Sequence, residues 1–260
     1  MDAVRIETIT AENVDKLGFF CQKSKRKTDG YQRKLSWMKQ RLGEGMGMHI
    51  LYEGKRSVGF IEYIPGDYTW RAIDAPNLMV IHCLWVVGKA KGKGYGSQLL
   101  ALCEQETRRR GLDGIAVLTT HRVWLSDKHL FAKNDFELVD SCDPFELWLK
   151  RYSDGPNPTF PTDWDARSAA HGDGLTVLRT DQCPYFDDAT THIRDYAAER
   201  GLAYREIELD SAEKARQLSP TPYGAFGIVY NGKLLAYHYL LPRDLDKLIS
   251  PSRCATTAMA

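Results

Sequence analysis

The residues most able to do chemistry stand together in LWVVGKAKGKGYGSQLL, residues 84–100, where an apolar run meets Gly88, Gly92, Gly94 and Gly96 and then a second amphipathic run. A strand that turns through glycines into a helix is an anion site. Successive backbone N–H groups at the helix start point outward, the helix dipole adds partial positive charge, and glycine leaves no Cβ in the way of a pyrophosphate. Lys89, Lys91 and Lys93 add charge around it. The alternation Gly92, Gly94, Gly96 misses the G-x-G-x-x-G dinucleotide spacing, no strand-end acid follows at about twenty residues, and no G-K-[ST] triplet closes a P-loop. A glycine-rich turn between core elements is the plainer alternative.

The other reactive side chains form no comparable pattern. Six cysteines, Cys21, Cys83, Cys103, Cys142, Cys183 and Cys254, include no C-x-x-C pair, and the seven histidines do not join them at ligand spacing. Neither a disulfide framework nor a metal is expected, and each cysteine is by default a small buried apolar residue. With 35 Lys and Arg against 34 Asp and Glu, the overall charge favours neither a polyanion nor a membrane surface. One basic run, CQKSKRK at residues 21–27 followed by Arg33, Lys34 and Lys39, reads as a solvated face ahead of a grip on an acidic acceptor, and nucleic-acid binding ranks last. No apolar run reaches membrane-spanning length and the start, MDAVRIETIT, lacks the regions of a signal peptide, so a cytoplasmic protein is expected.

Period-2 and period-3.6 patterns along the chain predict the elements that position the loop. Strands are expected at residues 4–9, 48–52, 58–64, 78–87, 115–119, 136–139 and 145–149, with helices at 12–21, 31–42, from Gly94 to Gly111, and 123–133. Between Tyr152 and Gly172, Gly155, Pro156, Pro158 and Pro161 oppose both helix and central strand, which predicts a linker over residues 153–172. After it come a strand (175–180), a helix (184–199), a strand (203–209), a short helix (211–218), two strands (225–230 and 234–240) around an Asn231-Gly232 turn, and a last helix (243–249). Residues 251–260 read as a tail.

Lys91-Gly92-Lys93-Gly94-Tyr95-Gly96, with this element order, resembles the acetyl-CoA pyrophosphate loop of the GNAT superfamily of N-acetyltransferases over roughly residues 1–152. The resemblance implies the α/β acyl-CoA N-acyltransferase fold and transfer of acetyl from acetyl-CoA to an amine. It implies that Leu84 and Val86 lend backbone groups to the pantetheine arm and that Lys91, Gly92, Lys93, Gly94, Tyr95, Gly96 and Ser97 hold the pyrophosphate. In many members a tyrosine late in the fourth helix protonates the departing thiolate, and here HLFAKNDF puts Phe131 at that place. A coenzyme A thiol of pKa about 8.5 leaves with little help. An amine acceptor of pKa about 10 does need a base. Strand alternation puts Val80, His82, Leu84 and Val86 on the thioester face, with Cys83 toward the helices. His82 stands where arylalkylamine acetyltransferases also carry a histidine and is the candidate base; a histidine that merely holds the sheet is the alternative. Glu62, Tyr63, Trp70 and Arg71 are candidates for an acceptor pocket, with ordinary strand and loop roles as the alternative.

The second half, residues 173–250, resembles a smaller thioredoxin-like α/β domain. Cys183-Pro184-Tyr185-Phe186 opens its first helix where that fold keeps a reactive cysteine, and Thr221-Pro222 precedes a strand where it often keeps a cis-proline. The pairing with a GNAT domain resembles the YoaP-type acetyltransferases. At a helix start Cys183 is expected to have a lowered pKa, which allows a thiolate role, while inheritance of the fold without its chemistry is the alternative. Two rival functions follow: a non-catalytic acyl-CoA-binding module, motivated by Phe131, and a monothiol redox or thiol-binding protein working through Cys183.

Overall fold

The computed structural model describes residues 3–249. Seven strands, β1 (Val4–Thr8), β2 (Gly47–Glu53), β3 (Arg56–Pro65), β4 (Leu78–Val86), β5 (Gly114–Thr120), β6 (Glu137–Cys142) and β7 (Phe145–Arg151), form one sheet in the order β1-β2-β3-β4-β5-β7-β6. Helices α1 (Val14–Leu17) and α2 (Asp29–Gly43) lie between β1 and β2, α3 (Tyr95–Arg109) joins β4 to β5, and α4 (Lys128–Lys133) follows β5. A long crossover helix makes β4 and β5 parallel, and their pairing runs from Leu78↔Gly114 to Ile81↔Val117 and stops there, although both strands continue. The sheet therefore opens between the far ends of β4 and β5.

The strand that carries the candidate site is irregular at its centre. Glu62 pairs with Cys83 but Tyr63 pairs with Ile81, so His82 is an extra residue in β4. Such a bulge reverses the alternation beyond it. Met79, Ile81, Leu84 and Val86 pack toward Leu99, Leu100 and Cys103 of α3, whereas Val80 and Cys83 pack on the opposite side. This corrects the sequence expectation: Leu84 and Val86 do not share a face with Val80, and Cys83 faces the acceptor side.

A four-stranded sheet follows, β11-β10-β8-β9, from β8 (Leu175–Arg179), β9 (Tyr204–Glu208), β10 (Phe226–Tyr230) and β11 (Lys233–Ala236), with β8 and β9 parallel. Helices α6 (Tyr185–Glu199), α7 (Ala212–Leu218) and α8 (Pro242–Ile249) accompany it. Among the described residues the one cis peptide precedes Pro144, so the bond before Pro222 is trans.

The stretch expected as a linker is not one. It contains α5 (Trp164–Ala169), bridges back through Asp74↔Thr159, and buries Phe160. Its prolines forbid a long regular element but not packing. The two sheets accordingly share their apolar interior: Val80, Leu118 and Leu149 belong to one cluster with Val177, Phe186 and Phe226, and Leu178 and Val229 join Trp37 and Met38 in another. Helix α2 approaches α6 so closely at Gly30 that a Cβ there would stand 2.5 Å from the Pro184 carbonyl oxygen. The expected tail, residues 251–260, lies outside the described residues. Among those described, no helix is long and apolar enough to cross a membrane, and no group of three or more His, Cys, Asp or Glu is placed to hold a metal ion.

Candidate active site

Two cavities meet at the end of β4. The first is a groove of about 550 Å³ along the open side of that strand, lined by Leu84, Val86, Lys91, Gly92, Gly94, Tyr95, Gly96 and Ser97 together with the loop after β5. Gly92 and Gly94 have φ of +80° and +79°, and a Cβ at either would meet nothing within 4 Å. Left-handed backbone is what only glycine adopts cheaply, and here it keeps the floor clear in front of the first N–H groups of α3. The Val87 N–H bonds the Val58 carbonyl on β3. By period 2, Leu84 and Val86 then turn their backbone groups to the open side, where the Ser126 hydroxyl already donates to the Leu84 carbonyl at 2.5 Å. Lys91 lies on the groove with its ammonium 5.3 Å over the Trp85 ring. Lys93 turns instead to Glu53 at 2.6 Å, to which Tyr95 also donates.

The second cavity, about 430 Å³, lies on the other face of β4 and is walled by both halves of the chain: Phe19, Phe60, Glu62, Arg71, His82, Cys83 and Trp85 from the first, Gln182, Cys183, Tyr185 and Tyr223 from the second. Trp85 borders both cavities. So does the loop after β5, because Asp127 caps α4 through the His129 N–H and starts that helix at Lys128, later than the sequence pattern suggests. Trp124 of this loop meets Tyr185 edge-on at 6.0 Å.

Such a groove against a strand, glycine loop and helix start, with a second pocket across the strand, can seat a phosphate-bearing ligand beside a second small molecule. The GNAT acetyltransferase family model matches residues 14–136. The uncharacterised N-acetyltransferase YoaP of Bacillus subtilis is 30% identical over 247 residues, 93% of this chain and 97% of that protein. This chain belongs to the GNAT acetyltransferase family. It is an acyltransferase, with acetyl-CoA as co-substrate. Among solved structures, the PaiA N-acetyltransferase of Thermoplasma acidophilum in complex with coenzyme A is similar at 16% identity and TM-score 0.41, over 58% of this chain and 99% of that one. An IAA acetyltransferase of Bacillus cereus is similar at 16% identity and TM-score 0.40, over 58% of this chain and all of that one.

For this acetyltransferase the side chains of the second cavity form one network. Lys34 reaches Glu62 Oε2 at 2.5 Å, Gln182 donates to Glu62 Oε1 at 3.1 Å, and His82 Nδ1 lies 3.5 Å from the same oxygen. Burial pushes the Glu62 carboxyl up, but the Lys34 charge and the His82 contact outweigh it and hold the group down at about 2. His82 Nε2 accepts from the Trp70 N–H at 3.2 Å and faces the Thr69 hydroxyl at 3.2 Å, which itself accepts from the Arg71 N–H. A backbone N–H can only donate, so Nε2 carries the lone pair and Nδ1 the proton. Burial then drives the imidazole down to about 4.

Nε2 of His82 is thus taken by the Trp70 N–H, and Nδ1 carries its proton 3.5 Å from Glu62 without a formed hydrogen bond, so neither nitrogen offers a lone pair to an acceptor. This geometry speaks against its expected role as direct base: the bulge turns the ring into the 69–71 loop, where Nε2 holds the Trp70 N–H. Tyr63 is likewise removed from the acceptor side. It neighbours Glu62 on one strand and so points the other way, where its hydroxyl bonds His49 Nε2 at 2.8 Å. Trp70 packs against Trp37 and does not border the cavity. Phe131 is buried against Phe136, outside the groove.

Cys183 borders the cavity with Cys21 and Cys83. Burial pushes its thiol up to about 11 despite the backbone N–H of Tyr185, and Cys83 up to about 12. Desolvation overrides the helix start, which corrects the expected low pKa. Gln182, Tyr185 and Tyr223 escaped sequence reasoning because nothing local says that the second half folds onto β4.

Proposed function

We propose that this acetyltransferase moves acetyl from acetyl-CoA to the nitrogen of a small amine by direct attack, the acceptor entering through the cavity walled by both halves of the chain. The observation that carries the reading is that the two cavities approach Trp85 from opposite faces of β4. Bound in the groove, acetyl-CoA supplies the thioester; the amine nitrogen bonds to its carbonyl carbon, the carbon–sulfur bond breaks, and the amine loses a proton. The open floor at Gly92 and Gly94 and the start of α3 support a pyrophosphate held by residues 91–97, with Lys91 among the side-chain charges that line the groove and Lys93 turned to Glu53. The free edge of β4 supports pantetheine contacts at Leu84 and Val86.

No side chain of the network is a free base. The aromatic walls instead disfavour the ammonium form of an entering amine, so it sheds its proton on desolvation. With Phe131 in the core, the coenzyme A thiol leaves as its anion. The order β11-β10-β8-β9, with β8 and β9 parallel, supports a thioredoxin-like second unit that serves as a wall of the acceptor site, while the raised pKa of Cys183 speaks against a redox role. The absence of a spanning helix among the described residues is compatible with a cytoplasmic place. Free-thiol release from acetyl-CoA across a panel of amines, beside thermal stabilisation by acetyl-CoA alone, tests the reading. Stabilisation without release on any amine would replace it with a binding module.

A further inference from the structure

Arg71 is a buried cation without a carboxylate. It is 2% exposed, its guanidinium bonds the Tyr223 carbonyl at 2.7 Å and the His82 carbonyl, and its Nε has no partner. The guanidinium carbon stands 4.6 Å over the Tyr223 ring. Glu62 is the one acid bordering the cavity among the described residues, and Lys34 already pairs with it at 2.5 Å. The neighbouring thiols are no counter-charge, since burial keeps Cys83 and Cys183 protonated. The cavity therefore carries one uncompensated positive charge. A buried cation held only by neutral groups is costly, and an anionic ligand entering the cavity would offset that cost.

A second orphan of opposite polarity borders the same cavity. Gln182 is 6% exposed; its amide nitrogen must donate to the Glu62 carboxylate, which fixes the amide orientation and leaves Oε1 without a partner. One wall thus holds a cation seeking an anion and another an acceptor seeking an N–H, between the aromatic faces of Phe19, Phe60 and Tyr185. A volume of about 430 Å³ suits a small molecule.

Resting on the acceptor reading above, we infer that the acceptor is an apolar amine that also carries a carboxylate, of the size and type of an aromatic or branched amino acid. The carboxylate pairs with Arg71, the amine N–H meets Gln182, and the apolar body fills the aromatic walls. Pairing with Arg71 also relieves the hold of the carboxylate on its own ammonium, which eases deprotonation before attack. His82 and Thr69, by fixing the 69–71 loop, position the guanidinium.

The test uses the full chain with acetyl-CoA and matched acceptors with and without the carboxylate: phenylalanine against phenethylamine, tryptophan against tryptamine, leucine against isoamylamine. In parallel, 3-phenylpropanoate, which has the carboxylate but no amine, is titrated calorimetrically into the CoA-saturated protein. The carboxylate members are expected to lead by about 10- to 100-fold in kcat/KM, the ratio a charged hydrogen bond gives, and phenylpropanoate to bind. Arg71→Met is expected to abolish both preferences; should that variant not fold, the wild-type pairs decide alone. Equal or better turnover of the carboxylate-free amines overturns the inference and leaves the N-acetyltransferase reading intact. Turnover of neither member together with no phenylpropanoate binding also overturns it. Failure of acetyl-CoA to stabilise the protein sinks the broader reading instead.

Discussion

Replacing Gly94 by valine separates the backbone cost of the glycine loop from its role in holding a ligand. Gly94 has φ +79° at the start of α3, and its added Cβ would meet no protein atom within 4 Å. Only backbone strain opposes the substitution, about 2 kcal/mol for a branched residue in the left-handed region. Gly111, past the end of α3 at φ +68° with nothing within 4 Å of its Cβ, has the same cost and no groove beside it. For a chain of this size 2 kcal/mol lowers Tm by about 4–8 °C, and both Gly94→Val and Gly111→Val should show it. Acetyl-CoA at 100 times its Kd adds about 2.7 kcal/mol, a rise of about 5–11 °C, to wild type and to Gly111→Val. In Gly94→Val the side chain occupies the groove floor; a 100-fold weaker complex retains about 0.4 kcal/mol, a rise near 1 °C. Differential scanning calorimetry with and without acetyl-CoA reads all three proteins. An equal rise in both variants would refute the pyrophosphate site, and a much larger Tm loss in Gly94→Val would refute the open space assigned to its Cβ.

Burial keeps His82 neutral in the fold down to about 4, whereas the unfolded chain protonates it at about 6.5. Its folded pKa is depressed, so stability is intact above pH 6.5 and falls as pH drops from 6.5 toward 4, by roughly 3 kcal/mol, with His49 and His171 acting in the same direction. His82→Asn should be less stable at pH 7.5 yet flatter in Tm across that window, and should keep the shape of the rate–pH profile; a loss of about 10²- to 10⁴-fold that shrinks at high pH would restore His82 as the base. Cys183, with its thiol at about 11, should label with a thiol reagent at pH 8 roughly 10²-fold slower than an exposed cysteine, and labelling at the free rate would return the thiolate hypothesis. A fragment of residues 1–152 should aggregate or melt without cooperativity, because it bares the faces of Val80, Leu118 and Leu149 that Phe186 and Phe226 cover; a cooperative fragment stabilised by acetyl-CoA would show that the large sheet holds its own core.

The glycine-lined groove was legible in the sequence because its information is local. Glycines between an apolar strand and an amphipathic helix specify left-handed backbone, open space and a helix start, whatever packs around them, and the element order of both sheets follows from period and turn residues. Arg71 and Glu62 could be named as acceptor candidates, but not why they differ from Tyr63 and Trp70. That distinction depends on which face each residue presents once β3 and β4 are in register.

What only the tertiary structure decided traces to two non-local events. The extra residue His82 in β4 reverses the alternation beyond it, which no count along one strand reveals, since a bulge exists only against the partner strand. The packing of the second half onto β4 brings Gln182, Cys183 and Tyr223 to the cavity and buries their neighbours. Burial in turn raises the Cys183 thiol and lowers the His82 imidazole, so at neutral pH the thiol stays protonated and the imidazole neutral. Among the described residues that border the acceptor-side cavity, Arg71 alone is a cation with no carboxylate beside it, because sequence specifies which groups can ionise, while the environment assembled from distant segments sets whether they do and what stands opposite them.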